Sequence, residues 1–138
     1  MNNNSAIQLH PLRLCPIFSN GAEKLFMKTK NEKLNRLLPE IEKKIRDLFG
    51  EKVLKIILFG SYARGDYDPE SDVDIMVIVD DESLEIYRKK GIELTNYYLE
   101  KERILISIIV EKAKIVEKYK NHSPFLINVV KEGSVIYG

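Results

Sequence analysis

A short polar loop held between two apolar runs constrains this chain more than any other feature. Residues 56–59 (IILF) and 73–79 (VDIMVIV) read as β-strand, and the loop between them opens Gly60-Ser61 and closes Ser71-Asp72. Asp74 stands two residues beyond Asp72, inside the second run. Side chains alternate faces along a strand, so the two carboxylates point the same way. Two such charges about 4 Å apart, at an effective dielectric near 20, repel by about 4 kcal/mol. A chain that builds the pair needs a cation to hold it, and Mg²⁺, with its preference for oxygen ligands, is the simplest.

The loop itself has the chemistry of an anion site. Glycine at a strand's end lets the backbone approach a ligand because no Cβ intervenes. The following serine brings a hydroxyl and an N–H, and successive N–H groups in a turn form an anion-binding concavity. Arg64 adds a forked cation that matches phosphate oxygens. Gly60, Ser61 and Arg64, with Ser71 closing the loop, therefore provide for a polyphosphate, while Asp72 and Asp74 provide for the metal that accompanies it. Gly-Ser after a strand is a common turn, and Asp-X-Asp often sits on a surface. Their conjunction at this spacing is much more specific.

At this spacing the chain resembles a known family. Gly60-Ser61, ten residues, then Asp72-Val73-Asp74 and an apolar run match the signature of the DNA polymerase β-type nucleotidyltransferases. The string GSYARGDYDPESDVDIMVIV is similar to that of the small, single-domain branch called minimal nucleotidyltransferases. The resemblance implies an α/β (α+β) fold, a mixed β-sheet flanked by helices. It also implies transfer of a nucleoside monophosphate, here AMP from ATP, to an acceptor hydroxyl. Gly60, Ser61, Arg64 and Ser71 would bind the nucleoside triphosphate, and Asp72 and Asp74 would be the catalytic Mg²⁺ ligands. Members of this branch are paired with HEPN-domain toxins as antitoxins, so a HEPN-domain protein is the expected partner and its hydroxyl the expected acceptor. Active members carry a third carboxylate on a later strand. Here that strand, read at residues 103–110, has Ser107 as its polar interior residue, with Glu102 and Glu111 flanking it outside the motif position. A second reading follows from that serine: an antitoxin or regulatory subunit of the same fold that acts by binding.

The rest of the chain frames this stretch. Its 138 residues suit one domain. A net charge of +1 makes no electrostatic case for nucleic acid or a membrane surface. No apolar run approaches the ~20 residues of a membrane span. The single cysteine, Cys15, has no intrachain partner, which suits a reducing cytoplasm. Residues 1–28, rich in Asn and Pro and without periodicity, read as a weakly ordered extension lacking the pattern of a secretory signal. His10 and Cys15 lie there as isolated residues, and Met27 stands just before the first helical pattern as a second candidate start. The nucleotidyltransferase domain is expected over residues 29–138.

Leu34, Leu37, Leu38, Ile41, Ile45 and Leu48 form an apolar helical stripe. Pro39 interrupts it, which predicts a turn or short helix up to Leu38 and a main helix over residues 39–49 capped by Gly50. A first strand is expected at 53–59, a second helix over 82–101 with Tyr87, Gly91, Leu94 and Tyr98 inward, and the third strand at 103–110. Residues 111–122 read as a solvated charged stretch. Ser123-Pro124 reads as the start of a helix ending at Gly133, with Phe125, Leu126 and Val129 apolar, and residues 135–137 as a last strand.

Overall fold

The apolar stripe near the N-terminus folds as one uninterrupted helix. The computed structural model describes Thr29 and residues 31–138, and helix α1 (Glu32–Phe49) runs through Pro39 without a break. This corrects the expected start at Pro39. The buried positions Leu34, Leu37 and Leu38 before the proline and Ile41, Ile45 and Phe49 after it lie on one face of one helix. Each such side chain contributes roughly 1.5–3 kcal/mol on burial. Together they outweigh the ~3 kcal/mol that an internal proline costs, and Pro39 itself lies on the exposed side. Phe49 rather than Leu48 completes the stripe. Asn31 caps the start by accepting from the Leu34 N–H at 2.9 Å, and Gly50, at φ 84°, caps the end. The extension at residues 1–28, with His10 and Cys15, lies outside the described residues.

A short 3₁₀ turn (Gly50–Lys52) leads into β1 (Val53–Phe59), followed by the one-turn helix α2 (Ser61–Arg64) and β2 (Val73–Val79). Helix α3 (Glu85–Glu102) crosses to β3 (Ile106–Lys112), and α4 (Ala113–Tyr119), α5 (Pro124–Glu132) and β4 (Ser134–Tyr137) complete the chain. The four strands lie in the order β3-β2-β1-β4. β1 runs antiparallel to β2 and β4, while β2 and β3 are parallel, so the sheet is mixed. The fold-class expectation holds.

Helices cover both faces of the sheet. On one face α1 and α3 pack against Ile56, Leu58, Val73, Ile75, Val77, Ile106 and Val110. On the other, Ala113 and Val116 of α4 and Leu126 and Val129 of α5 pack against Leu54, Ile57, Met76 and Ile78. β1 and β2, the central strands, are buried almost throughout, as their largely apolar sequences require, and the buried Lys55 of β1 donates from Nζ to the Gly138 carbonyl at 3.0 Å. Tyr87 and Tyr98 are core residues, as expected, and Tyr97 lies at the rim.

Two expectations need correction. Residues 111–122 contain helix α4, whose two buried residues, Ala113 and Val116, are too few to show a period among the surrounding charges. The third strand begins at Ile106 rather than at 103, because α3 extends to Glu102 and Arg103 caps it in the left-handed conformation, φ 57°. Of the apolar residues of α5, Leu126 and Val129 are buried and Phe125 remains 43% exposed. Among the described residues no helix is long and apolar enough to cross a membrane.

Candidate active site

Asp74 is the centre of the site, and its position is set by neighbours on both sides. It lies on β2 with Phe59 of β1 opposite it and Ser107 of β3 opposite on the other side. Residues in register share a face, which here is the face covered by α4 and α5, since Met76 two residues on belongs to that layer. Asp72 precedes the strand by one residue, on the same face and exposed.

Gly60 is fixed twice over. Its φ of 77° is a conformation that residues with a Cβ rarely adopt. A Cβ built there would also fall 2.3 Å from Asp74 Oδ2. The carboxyl of Asp74 thus occupies the space that only glycine leaves, and the Gly-Ser loop and the acidic strand are packed as one unit. Burial pushes the Asp74 carboxyl above the ordinary carboxylate pKa of 3.8, Asp72 adds to the rise, and Arg64 partly opposes it.

The Gly-Ser loop is more ordered than a turn. Ser61 begins helix α2, whose N–H groups at Ala63 and Arg64 donate to the Gly60 carbonyl at 3.1 and 3.0 Å. That leaves the Ser61 and Tyr62 N–H groups at the open first turn, where an anion can accept from them. Tyr62 anchors the turn: it is buried in the α1/α3 layer and stacks on Tyr67, ring centroids 4.2 Å apart. Ser71 organises the far end of the loop. Its hydroxyl donates to Asp68 Oδ1 at 3.3 Å and accepts from the Asp68 N–H at 3.0 Å, and its own N–H donates to the Asp68 carbonyl. Ser71 therefore sets the approach of the chain to Asp72.

Arg64 is held by two carboxylates. Its Nε donates to Asp66 Oδ2 at 3.2 Å and its Nη1 to Glu132 Oε1 at 3.2 Å. A guanidinium has five N–H donors, so three remain for a ligand. Glu132, at the end of α5, was not legible as part of this neighbourhood in the sequence. It is 68 residues from Arg64, and nothing local signals the pairing.

The structure thus brings Gly60, Ser61, Arg64, Asp72 and Asp74 into one neighbourhood and places Ser71 at its margin. It brings no third carboxylate: among the described residues no group of three His, Cys, Asp or Glu side chains could hold a metal ion. Ser107 stands where Asp74's neighbour on β3 belongs. Glu111 accepts from its neighbour Lys112 N–H, and the Glu102 carboxylate lies 3.9 Å from Lys33 Nζ. Neither flanking glutamate joins the pair. The donor set nevertheless fits Mg²⁺, which takes one or two carboxylates and completes its shell with phosphate oxygens and water. A dication held there would offset the repulsion from Asp72 and favour the ionised Asp74 carboxyl.

This geometry matches what the comparisons with known proteins return. The family model of the nucleotidyltransferase domain matches residues 38–137. The chain belongs to the nucleotidyltransferase domain family. Two proteins of Methanocaldococcus jannaschii that carry the name protein adenylyltransferase are similar to this nucleotidyltransferase. MJ0604 is 37% identical over 102 residues, covering 74% of this chain and 96% of its own. MJ0141 is 42% identical over 79 residues, covering 57% and 80%. Among solved structures, the crystal structure of a toxin-antitoxin with AMP-PNP contains a chain of similar fold, 27% identical, with a TM-score of 0.53 over 72% of each chain.

Proposed function

We propose that this nucleotidyltransferase is an antitoxin that moves AMP from ATP to a hydroxyl of a partner protein, a HEPN-domain toxin, in a Mg²⁺-dependent reaction in the cytoplasm. The observation that carries the reading is the fit of the Asp74 carboxyl into the space left by Gly60, which joins an anion-binding turn to an acidic pair. The names of the similar proteins support a protein acceptor and an adenylyl donor. The nucleotide analogue in the similar toxin-antitoxin structure supports both the nucleotide and the partner class.

In this reading the Ser61 and Tyr62 N–H groups and the Ser61 hydroxyl bind the triphosphate tail. Gly60 allows the close approach, and the free donors of Arg64 carry opposing charge. Asp72 and Asp74 hold Mg²⁺, which when bound neutralises charge on the phosphates. Ser71 keeps Asp72 in place. The acceptor oxygen bonds to the α-phosphorus, the bond from that phosphorus to the bridging oxygen breaks, and pyrophosphate leaves. The hydroxyl proton passes to solvent, because Ser107 is no base at neutral pH. Most of the rate enhancement then comes from positioning and charge neutralisation.

The test is incubation with α-labelled ATP, Mg²⁺ and the folded toxin, followed by mass spectrometry of the toxin. An added AMP on a hydroxyl supports the proposal, and an unmodified toxin in the presence of bound ATP counts against transfer. Ser107 favours a second reading, an antitoxin that neutralises by binding alone. The two separate on Asp72→Ala with Asp74→Ala. Loss of neutralisation with the complex intact supports the enzyme, and neutralisation that survives supports the binder.

A further inference from the structure

Helix α5 touches the site at both ends. At its first turn the Phe125 ring meets the Phe59 ring edge-to-face, centroids 5.5 Å apart, and Phe59 is the β1 residue opposite Asp74. At its last residue Glu132 accepts from Arg64. Positions 125, 128 and 132 follow the i, i+3, i+7 spacing of one helical stripe. Because one end of the stripe meets Phe59, the register partner of Asp74, and the other meets Arg64, Asn128 between them lies along the same border. The adjoining face of the helix is committed elsewhere, with Leu126 and Val129 buried against the sheet.

The stripe is anchored but not filled. Phe125 keeps 43% of its surface exposed although it rests on Phe59. Asn128 is exposed, and its side chain makes no hydrogen bond to another described residue. An aromatic ring with an open surface and an amide one helical turn away have the chemistry that recognises a nucleobase. Aromatic rings stack on bases, and an asparagine amide, both donor and acceptor, matches the N6/N7 edge of adenine. The stripe also lies on the β1 side of Asp74, with Gly60 and Ser61. The β3 side, with Ser107, is left for the acceptor.

We propose that Phe125 and Asn128 form the nucleobase subsite, Phe125 stacking on adenine and Asn128 reading its edge. This rests on the reading of Gly60 and Ser61 as the triphosphate cradle, and the two separate on a ligand that has the phosphates without the base. The experiment measures equilibrium binding of ATP, CTP and inorganic tripolyphosphate, each with Mg²⁺, to the wild type, Phe125→Ala, Phe125→Tyr and Asn128→Ala. Phe125→Ala weakens ATP about tenfold and leaves tripolyphosphate unchanged, and Phe125→Tyr restores ATP. Asn128→Ala narrows the preference for ATP over CTP. Unchanged ATP affinity in Phe125→Ala overturns the subsite. Equal loss of ATP and tripolyphosphate also overturns it, by showing that the substitution acts on the cradle. A Phe125→Ala protein that binds ATP normally but has lost the toxin assigns the ring to the acceptor and overturns it as well. A wild type that does not bind tripolyphosphate removes the cradle itself, and the subsite with it.

Discussion

The two strands that flank β2 treat Asp74 differently. On the β1 side its carboxyl is packed into the space above Gly60, beside an ordered helical turn and an arginine held by two partners. On the β3 side its register partner is Ser107, and no further carboxylate joins the group among the described residues. In the proposed reading, the nucleotide half of the site is the closely packed β1 side, while the acceptor half is the β3 side with its one neutral hydroxyl. On that proposal the β1 side carries donor binding, and transfer depends on the acceptor's own position and chemistry.

The largest effect should come from breaking the β1 side. Gly60→Ala sets a Cβ against Asp74 Oδ2 and strains the backbone. It is expected to cost roughly 1–3 kcal/mol of stability and to abolish ATP binding, read by denaturant unfolding and calorimetric titration.

Asp74→Asn comes next and separates charge from shape. With Mg²⁺ it should weaken ATP at least tenfold, yet without ligand it should raise the thermal midpoint. The sign follows from linkage. The folded pKa of Asp74 lies above the ordinary 3.8, so between those values the folded state holds more proton than the unfolded state. Stability of the ligand-free protein therefore falls as pH rises through that window and is level above it, as far as Asp74 is concerned. Thermal unfolding against pH should show the slope in the wild type and its reduction in Asp74→Asn.

The β3 side can be sharpened rather than broken. Ser107→Asp places a like charge in register with Asp74, which should lower ligand-free stability by about 1 kcal/mol at neutral pH. Mg²⁺ should restore that stability, and both metal affinity and the rate of AMP transfer should rise. A variant that gains no metal affinity would mean that position 107 does not face the site. The smallest effect is expected from Ser71→Ala, which removes the hydroxyl's two exposed hydrogen bonds with Asp68. It should cost about 1 kcal/mol and weaken ATP only slightly, in the same titration.

The same contrast explains what the sequence disclosed. The paired aspartates, the Gly-Ser turn and the strands carrying them are close in the chain and written in strong local patterns, so they were legible from residue order. So was the serine at position 107, because it interrupts an apolar strand. Pro39 misled because local propensity argued for a break, while the contacts that override it belong to the sheet beneath. Helix α4 was hidden because two buried positions cannot declare a period. Glu132 and the exposed ring of Phe125 join the site only through tertiary packing, across a chain separation that no local pattern reports.

The central claim is that the β1 side of Asp74 holds a metal–triphosphate. It is tested most directly by calorimetric titration of ATP, with and without Mg²⁺, into the wild type and into Asp72→Asn with Asp74→Asn. The account predicts tight binding that requires Mg²⁺ in the wild type and is lost in the folded double variant. Binding that ignores the metal, or that survives both substitutions, would contradict it.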